Sequence, residues 1–201
     1  MEANQRRTRW TYAEFARLPM SGSTRYEVID GELVVTPAPS GTHQRLMGDL
    51  IVTLGSFVKD HGLGRIYPGP LDVLFAEGDY MEPDLLFVRS DRAHLVSDRG
   101  VEGPPDLIVE VGSPSTAARD RTVKLDRYRH FGVGEYWVVD PERRTIEVWR
   151  LGEGAAEAEV FGAENRLEWR PIAGGPTLEL DVGELFGEFL AAARKREDAV
   201  R

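Results

Sequence analysis

The 201-residue chain has no cysteine, which excludes a disulfide framework, thiolate ligation of zinc or iron-sulfur clusters, and a cysteine nucleophile. Any metal here takes oxygen or imidazole ligands. Positive charge is also scarce: 25 Lys and Arg against 34 Asp and Glu leave a net charge of −9. That balance argues against a histone-like or polybasic binder, and non-specific duplex binding by counterion release would need a local basic patch. No apolar run approaches the roughly 18 residues of a membrane span, and the basic stretch MEANQRRTRW has no apolar segment behind it. These absences lead us to expect a soluble cytoplasmic protein without a membrane partner. G-x-S-x-G, P-loop and H-E-x-x-H motifs are all missing. Gly62 and Gly64 lack the third glycine and the preceding strand of a dinucleotide site. His61, His94 and His130 have no ligand spacing among them, so a histidine-zinc site is not expected.

What is present reads as one domain over residues 1–201, with a core at 25–151 and a frayed tail at 190–201. Thr11 and Glu14 have capping-box spacing ahead of a short helix that stops at Pro19. In YEVIDGELVV the Asp30-Gly31 pair predicts a tight hairpin, with Tyr26, Val28, Leu33 and Val35 on one face and Glu27, Ile29, Glu32 and Val34 on the other. Leu46, Met47, Leu50, Ile51, Leu54, Phe57 and Val58 form a broad helical stripe within Thr42 to Asp60. Leu71–Phe75, Leu85–Val88 and Leu107–Val111 are short apolar runs bounded by Gly, Pro and Asp, and predict strands. Ser113 to Thr116 punctuates a helix start, and Ala117 to Phe131 runs on to Gly132. EYWVVD and TIEVWRL predict a second hairpin, after which Gly152 to Ala163 is expected to loop outward. Arg166–Arg170 and Thr177–Leu180 are weak strand candidates, and the segment from Glu184 reads as helical. This order predicts an α/β (α+β) layer fold in which residues 71–75, 85–88, 107–111 and 135–139 share one mixed sheet.

The chemistry suggested by these elements lies in carboxylates near strand ends. Asp84 opens the EPDLLFV segment, Asp106 opens PPDLIVEV, and Glu110 sits between Val109 and Val111. Alternation directs Asp106, Ile108 and Glu110 to one face. An acid inside an apolar run is costly to bury unpaired, so Glu110 requires a cation, a donor or a cleft. Asp84 and Asp106 equally suit strand entries capped after Pro. Lys124 lies mid-helix four residues after Asp120, which by itself describes an exposed ion pair. His43, at the head of the long helix, suits capping, packing or lining a cleft.

Taken in order, YEVIDGELV, TPAPSGTHQRLMGDL, EPDLLFV and PPDLIVEVGSPSTAARDRTVKLDRYRHFGVGEYWVVDPERRTIEVWRL resemble the Uma-type restriction endonuclease family within the PD-(D/E)XK nuclease superfamily. The resemblance spans about Thr11 to Leu151 and is most specific from Pro105 onward. It implies a restriction endonuclease-like fold, with Asp84 as the acid of the Pro-Asp motif and Glu110 as the acid of the next strand. The superfamily lysine would stand two residues after that acid, where this chain has Gly112, and the resemblance implies that Lys124 on the following helix has taken over. It further implies a DNA endonuclease in which Asp84 and Glu110 hold Mg²⁺ or Mn²⁺ and Lys124 assists the attacking water. Glu27, His43 and Asp106 would support them, with Asp72 a weaker candidate. A homodimer meeting through the hairpin at Glu135 to Leu151, Trp149 in particular, would suit cleavage of both strands of a duplex. The alternative is a nucleic-acid-associated or regulatory module that keeps the fold without catalysis.

Overall fold

The computed structural model of the protein describes residues 9–19, 24–113, 116–154 and 156–187. The first element, α1 (Tyr12–Phe15), is one turn closed by the expected capping box: Thr11 Oγ1 accepts from the Glu14 amide and the Glu14 carboxylate accepts from the Thr11 amide. β1 (Thr24–Ile29) and β2 (Glu32–Pro37) form the Asp30-Gly31 hairpin. Asp30 and Gly31 have φ of 50° and 83°, the left-handed pair that a two-residue turn of this hand requires. The register sets Arg25 opposite Thr36 and Glu27 opposite Val34, so these four share a face. α2 (Gly41–Asp60) is capped by Ser40 and buries Leu46, Met47, Leu50, Leu54 and Val58, the stripe read from the sequence.

Seven short strands come next: β3 (Gly64–Pro68), β4 (Val73–Ala76), β5 (Asp79–Met81), β6 (Leu85–Arg89), β7 (Val96–Ser97), β8 (Gly100–Val101) and β9 (Leu107–Val111). The next helix comes in three parts, α3 (Ala117–Arg119), a π-helical turn at Asp120–Lys124, and α4 (Leu125–Phe131), which Gly132 ends in the left-handed conformation. β10 (Glu135–Asp140), β11 (Thr145–Trp149), β12 (Glu159–Phe161), β13 (Arg166–Trp169), β14 (Leu178–Asp181) and α5 (Val182–Phe186) complete the described chain.

Six strands in the order β12-β11-β10-β9-β6-β3 make the central sheet, antiparallel except for β9 and β10. That parallel pair needs a crossover, and the helix at 117–131 supplies it. Period-two alternation divides the sheet's side chains cleanly. Leu85, Phe87, Leu107, Val109, Val111, Trp137 and Val139 pack with α2, joined by Leu167, Trp169 and Leu180 of β13 and β14. Leu86, Val88, Ile108, Tyr136 and Val138 pack on the other side with Leu125 and Tyr128 of α4 and with Ile29, Val73 and Met81. Those last three belong to a second sheet, β2-β1-β5-β4-β8-β7. Both faces of the central sheet are therefore covered.

The mixed α+β architecture is as expected, but four local expectations fail. The 71–75 run forms β4 in the second sheet, because a tight turn at Glu77-Gly78 pairs it with β5, which in turn pairs with β1. Residues 64–68 and 79–81 are strands that the apolar patterning does not predict. Within 152–163, β12 pairs with β11 and covers what would be an open sheet edge. The aromatics of the second hairpin are not an exposed contact surface: Tyr136 and Trp137 are fully buried, and Trp149 packs against the core. The expected frayed tail at 190–201, and most of the helix expected from Glu184, lie outside the described residues.

Candidate active site

Asp84 stands one residue before β6. The pairing of Leu85 with Val109 and Leu86 with Ile108 continues one step to place Asp84 opposite Glu110. Cross-strand neighbours share a face, with Cβ atoms about 4.5–5.5 Å apart. Both acids are about 4% exposed, and both line one cavity of about 160 Å³ together with Glu27, His43 and Lys124. The Val111 amide donates to Asp84 Oδ2 at 2.8 Å, tying the carboxylate to the next residue of β9.

Each carboxylate has its own cation. Arg25 Nη1 donates to Asp84 Oδ1 at 2.6 Å, and His43 Nε2 lies 2.9 Å from Oδ2, a contact short in distance but poorly aligned for a hydrogen bond. Burial pushes the Asp84 carboxyl up, but His43 and the Arg25 guanidinium outweigh it and bring it down to about 2. Lys124, only 3% exposed, places Nζ 2.8 Å from Glu110 Oε1 and 2.9 Å from Glu27 Oε1. Tyr128, one helical turn beyond Lys124, donates its hydroxyl to the same Glu110 oxygen at 2.9 Å. Burial opposes the charged form of Lys124, yet Glu110 and Glu27 hold its ammonium above the ordinary lysine range. For Glu110 burial dominates, and the carboxyl is pushed up to about 8 despite the attraction of Lys124.

The π-helical turn explains how a mid-helix lysine reaches a strand acid. Such a turn inserts an extra residue and rotates the facing of the residues beyond it, and here both its ends, Asp120 and Lys124, are buried. Arg121, between them, fixes the turn to β10 and β11 through Asp140 at 2.8 Å and Glu147 at 2.7 Å. Gly112, where the superfamily pattern has its lysine, lines the same cavity without a side chain to fill it. The exposed pairing with Asp120 that helix spacing alone describes does not occur, since Lys124 is buried against Glu110 and Glu27. Glu27, which equally suited a solvent-facing strand, is buried and accepts from the Glu82 amide at 3.0 Å as well as from Lys124.

Asp106 is not brought into this cluster. It sits at the opposite end of β9, where its carboxylate receives Arg92 Nη1 at 2.7 Å and the Arg89 amide at 2.9 Å. Asp72 does not line the cavity, although burial and the charge of Glu27 push it up to about 6. Sequence reasoning missed Arg25, Thr36, Glu82, Arg119, Asp120 and Tyr128. Arg25 and Thr36 were within reach, since they extend by one pair the face that carries Glu27 in the hairpin. The Glu82 carboxyl is pushed up to about 7, by burial first, and its Oε1 is buried without a hydrogen-bond partner, 3.8 Å from Arg25 Nε.

Five carboxylates (Glu27, Glu82, Asp84, Glu110, Asp120) and three cations (Arg25, Arg119, Lys124) line the cavity. An excess of buried acid is relieved by protonation or by a bound cation. The donor set fits a hard divalent ion, since its ligands are oxygens and both Glu110 donors fall on Oε1. Among the described residues, no three His, Asp or Glu side chains are grouped closely enough to hold a metal by themselves. A divalent ion in this cavity would have to draw its protein ligands from the two facing carboxylates, Asp84 and Glu110.

The six-stranded mixed sheet covered on both faces is a restriction endonuclease-like α+β fold. A solved structure of this fold is a putative nuclease belonging to DUF820 from Anabaena variabilis, which superposes with a TM-score of 0.73 at 23% identity over 88% of this chain and 97% of that one. The chain itself belongs to the Uma2 family, described as putative restriction endonuclease, whose model matches residues 12–183. It is also 26% identical over 132 residues to an uncharacterized protein, sll1609, of Synechocystis sp., covering 65% of this chain and 74% of that protein.

Proposed function

We propose that the protein is a divalent-metal-dependent endonuclease that hydrolyses phosphodiester bonds in DNA. The observation that carries this reading is the convergence of Asp84, Glu110 and Lys124 on one buried cavity. Asp84 and Glu110 would hold Mg²⁺ or Mn²⁺, which supplies Lewis-acid polarisation of the phosphate and a lowered pKa for a bound water. Lys124 stays protonated, so its part is that of a charge and hydrogen-bond donor and not of a base. Its ammonium orients the attacking water and offsets charge developing on the phosphoryl oxygens. Glu27 holds that ammonium in place, and Arg25 and His43 hold Asp84. Tyr128 fixes Glu110 through its hydroxyl. A second cleft of about 430 Å³ shares Arg25, His43, Glu82 and Asp84 with the cavity and adds Met47, Ile51 and Pro68; in this reading it would be the approach for a substrate strand.

One observation favours a second reading, a nucleic-acid-associated or regulatory module without catalysis: both oxygens of Asp84 already accept hydrogen bonds within the protein, from Arg25 and the Val111 amide. Incubation of supercoiled plasmid with the protein and Mg²⁺ or Mn²⁺ separates the two. Nicked and linear products that vanish with EDTA and in Asp84→Asn support the nuclease; intact plasmid under every metal condition supports the module.

A further inference from the structure

Arg119 stands apart from the other cations of the cavity. Arg25 is paired with Asp84 and Lys124 with Glu27 and Glu110, whereas among the described residues Arg119 has no carboxylate within ion-pair distance, its nearest acidic influence being the longer-range charge of Asp120. Its Nη2 donates to the neutral Thr36 Oγ1 at 3.1 Å, and its Nε–H is buried with no acceptor among the described residues. Arg119 as a whole is half-buried, but a buried N–H without an acceptor is an arrangement that folding alone disfavours. A guanidinium presents five N–H donors in a planar fork, of which the bond to Thr36 uses one. That fork matches the oxygens of a phosphate. The cavity's carboxylates outnumber its cations, so an entering phosphate brings more negative charge into a space already in acidic excess. Of the lining cations, Arg119 is the one whose charge is not already met by a carboxylate within ion-pair distance.

We infer that Arg119 is the phosphate-binding residue of this cavity, its guanidinium held by Thr36 and its free N–H edge taking non-bridging phosphate oxygens. That the phosphate is the diester of a nucleic acid rests on the nuclease reading; the anion site itself does not. Neither the fold nor the family's acidic motif assigns Arg119 a role, since it lies between the strand acid and the lysine, on the short α3 turn.

The test compares wild type with Arg119→Met, Arg119→Lys and, as a control, Arg65→Met, an arginine outside the cavity. Inorganic phosphate is titrated calorimetrically, and a fluorescent 20-base-pair duplex is titrated by anisotropy in Ca²⁺ over a series of salt concentrations. Arg119→Met should weaken both by about ten- to a hundred-fold and lower the slope of log K against log salt by about one. Arg119→Lys should restore the salt slope but only part of the affinity, because a point charge lacks the fork. Arg65→Met should match wild type. Arg119→Met loses the bond to Thr36 and the attraction to Asp120, so the titrations are run well below its melting temperature, where the lowered salt slope and its rescue by Arg119→Lys are changes that a merely structural arginine would not produce. Unchanged phosphate and duplex affinities in Arg119→Met, or no phosphate binding by wild type, would overturn the assignment. Arg119-dependent phosphate binding in a protein that neither binds nor cuts DNA with Mg²⁺ or Mn²⁺ would leave the anion site standing and remove the nuclease reading. Plasmid cleavage and duplex affinity retained in full by Arg119→Met would do the reverse.

Discussion

Lys124 shows how much burial decides at the scale of one residue. Its spacing from Asp120 describes an exposed helix pair, for which replacement by Ala would change stability by less than about 0.5 kcal/mol. In the fold it is the shared partner of Glu27 and Glu110, so Lys124→Ala leaves two buried carboxylates without their cation. The expected loss is about 3–5 kcal/mol in denaturant unfolding, with a larger stabilisation by Mg²⁺ than wild type shows. Asp106 moves the other way. Strand alternation groups it with Glu110, but alternation sets the face and not the end of the strand, and the four-residue step along β9 separates the two by roughly 13 Å. Asp106→Asn should therefore cost about 1–2 kcal/mol through its arginine contacts and leave plasmid cleavage at wild-type rate. Glu110 was legible because an acid inside LIVEV has no cheap alternative to a partner. Arg119 and Glu82 were not, because nothing in their local spacing distinguishes them from surface charges.

At the scale of elements, the hairpin, the long helix and the 107–111 strand were readable since each is specified locally, by an Asp-Gly turn, a 3.6-residue stripe and a β-branched run. The split into two sheets was not, because the apolar pattern of β4 is satisfied equally by either sheet and only the turn at Glu77-Gly78 assigns it. The π-helical turn has no signal in apolar periodicity, yet it aims Lys124. Its anchorage to β10 and β11 through Arg121 gives a prediction: Arg121→Ala should destabilise by about 1–3 kcal/mol and lower kcat more than it raises KM, because Lys124 loses its fixed orientation and not its charge. An equal loss of kcat and gain in KM with unchanged stability would contradict this role.

For the whole molecule, an acidic cavity within a chain of net charge −9 makes stability dependent on pH and on cations. Glu82 is raised to about 7 and Glu110 to about 8, so the folded state binds more protons than the unfolded state between about pH 4.5 and 8. Their contribution is fully present below the ordinary carboxyl range and is lost as pH rises through those raised values. Asp84, depressed to about 2, acts oppositely and loses its contribution only as pH falls from about 4 towards 2. Thermal melts without metal should therefore decline from about pH 5 to pH 8, Glu82→Gln should flatten the decline, and Mg²⁺ should raise the melting temperature more at the upper end of that range than at the lower. A melt profile that is flat, or that rises over this range, would refute the acidic excess.

The central claim, that two strand acids hold the metal while the helix lysine acts on the reaction, is tested most directly by measuring metal binding and plasmid cleavage on the same two variants. Calorimetric titration with Mn²⁺ should show binding retained or tightened in Lys124→Ala and lost in Glu110→Ala, while cleavage falls to near background in both. Full cleavage by Lys124→Ala, or undiminished metal binding by Glu110→Ala, would contradict it.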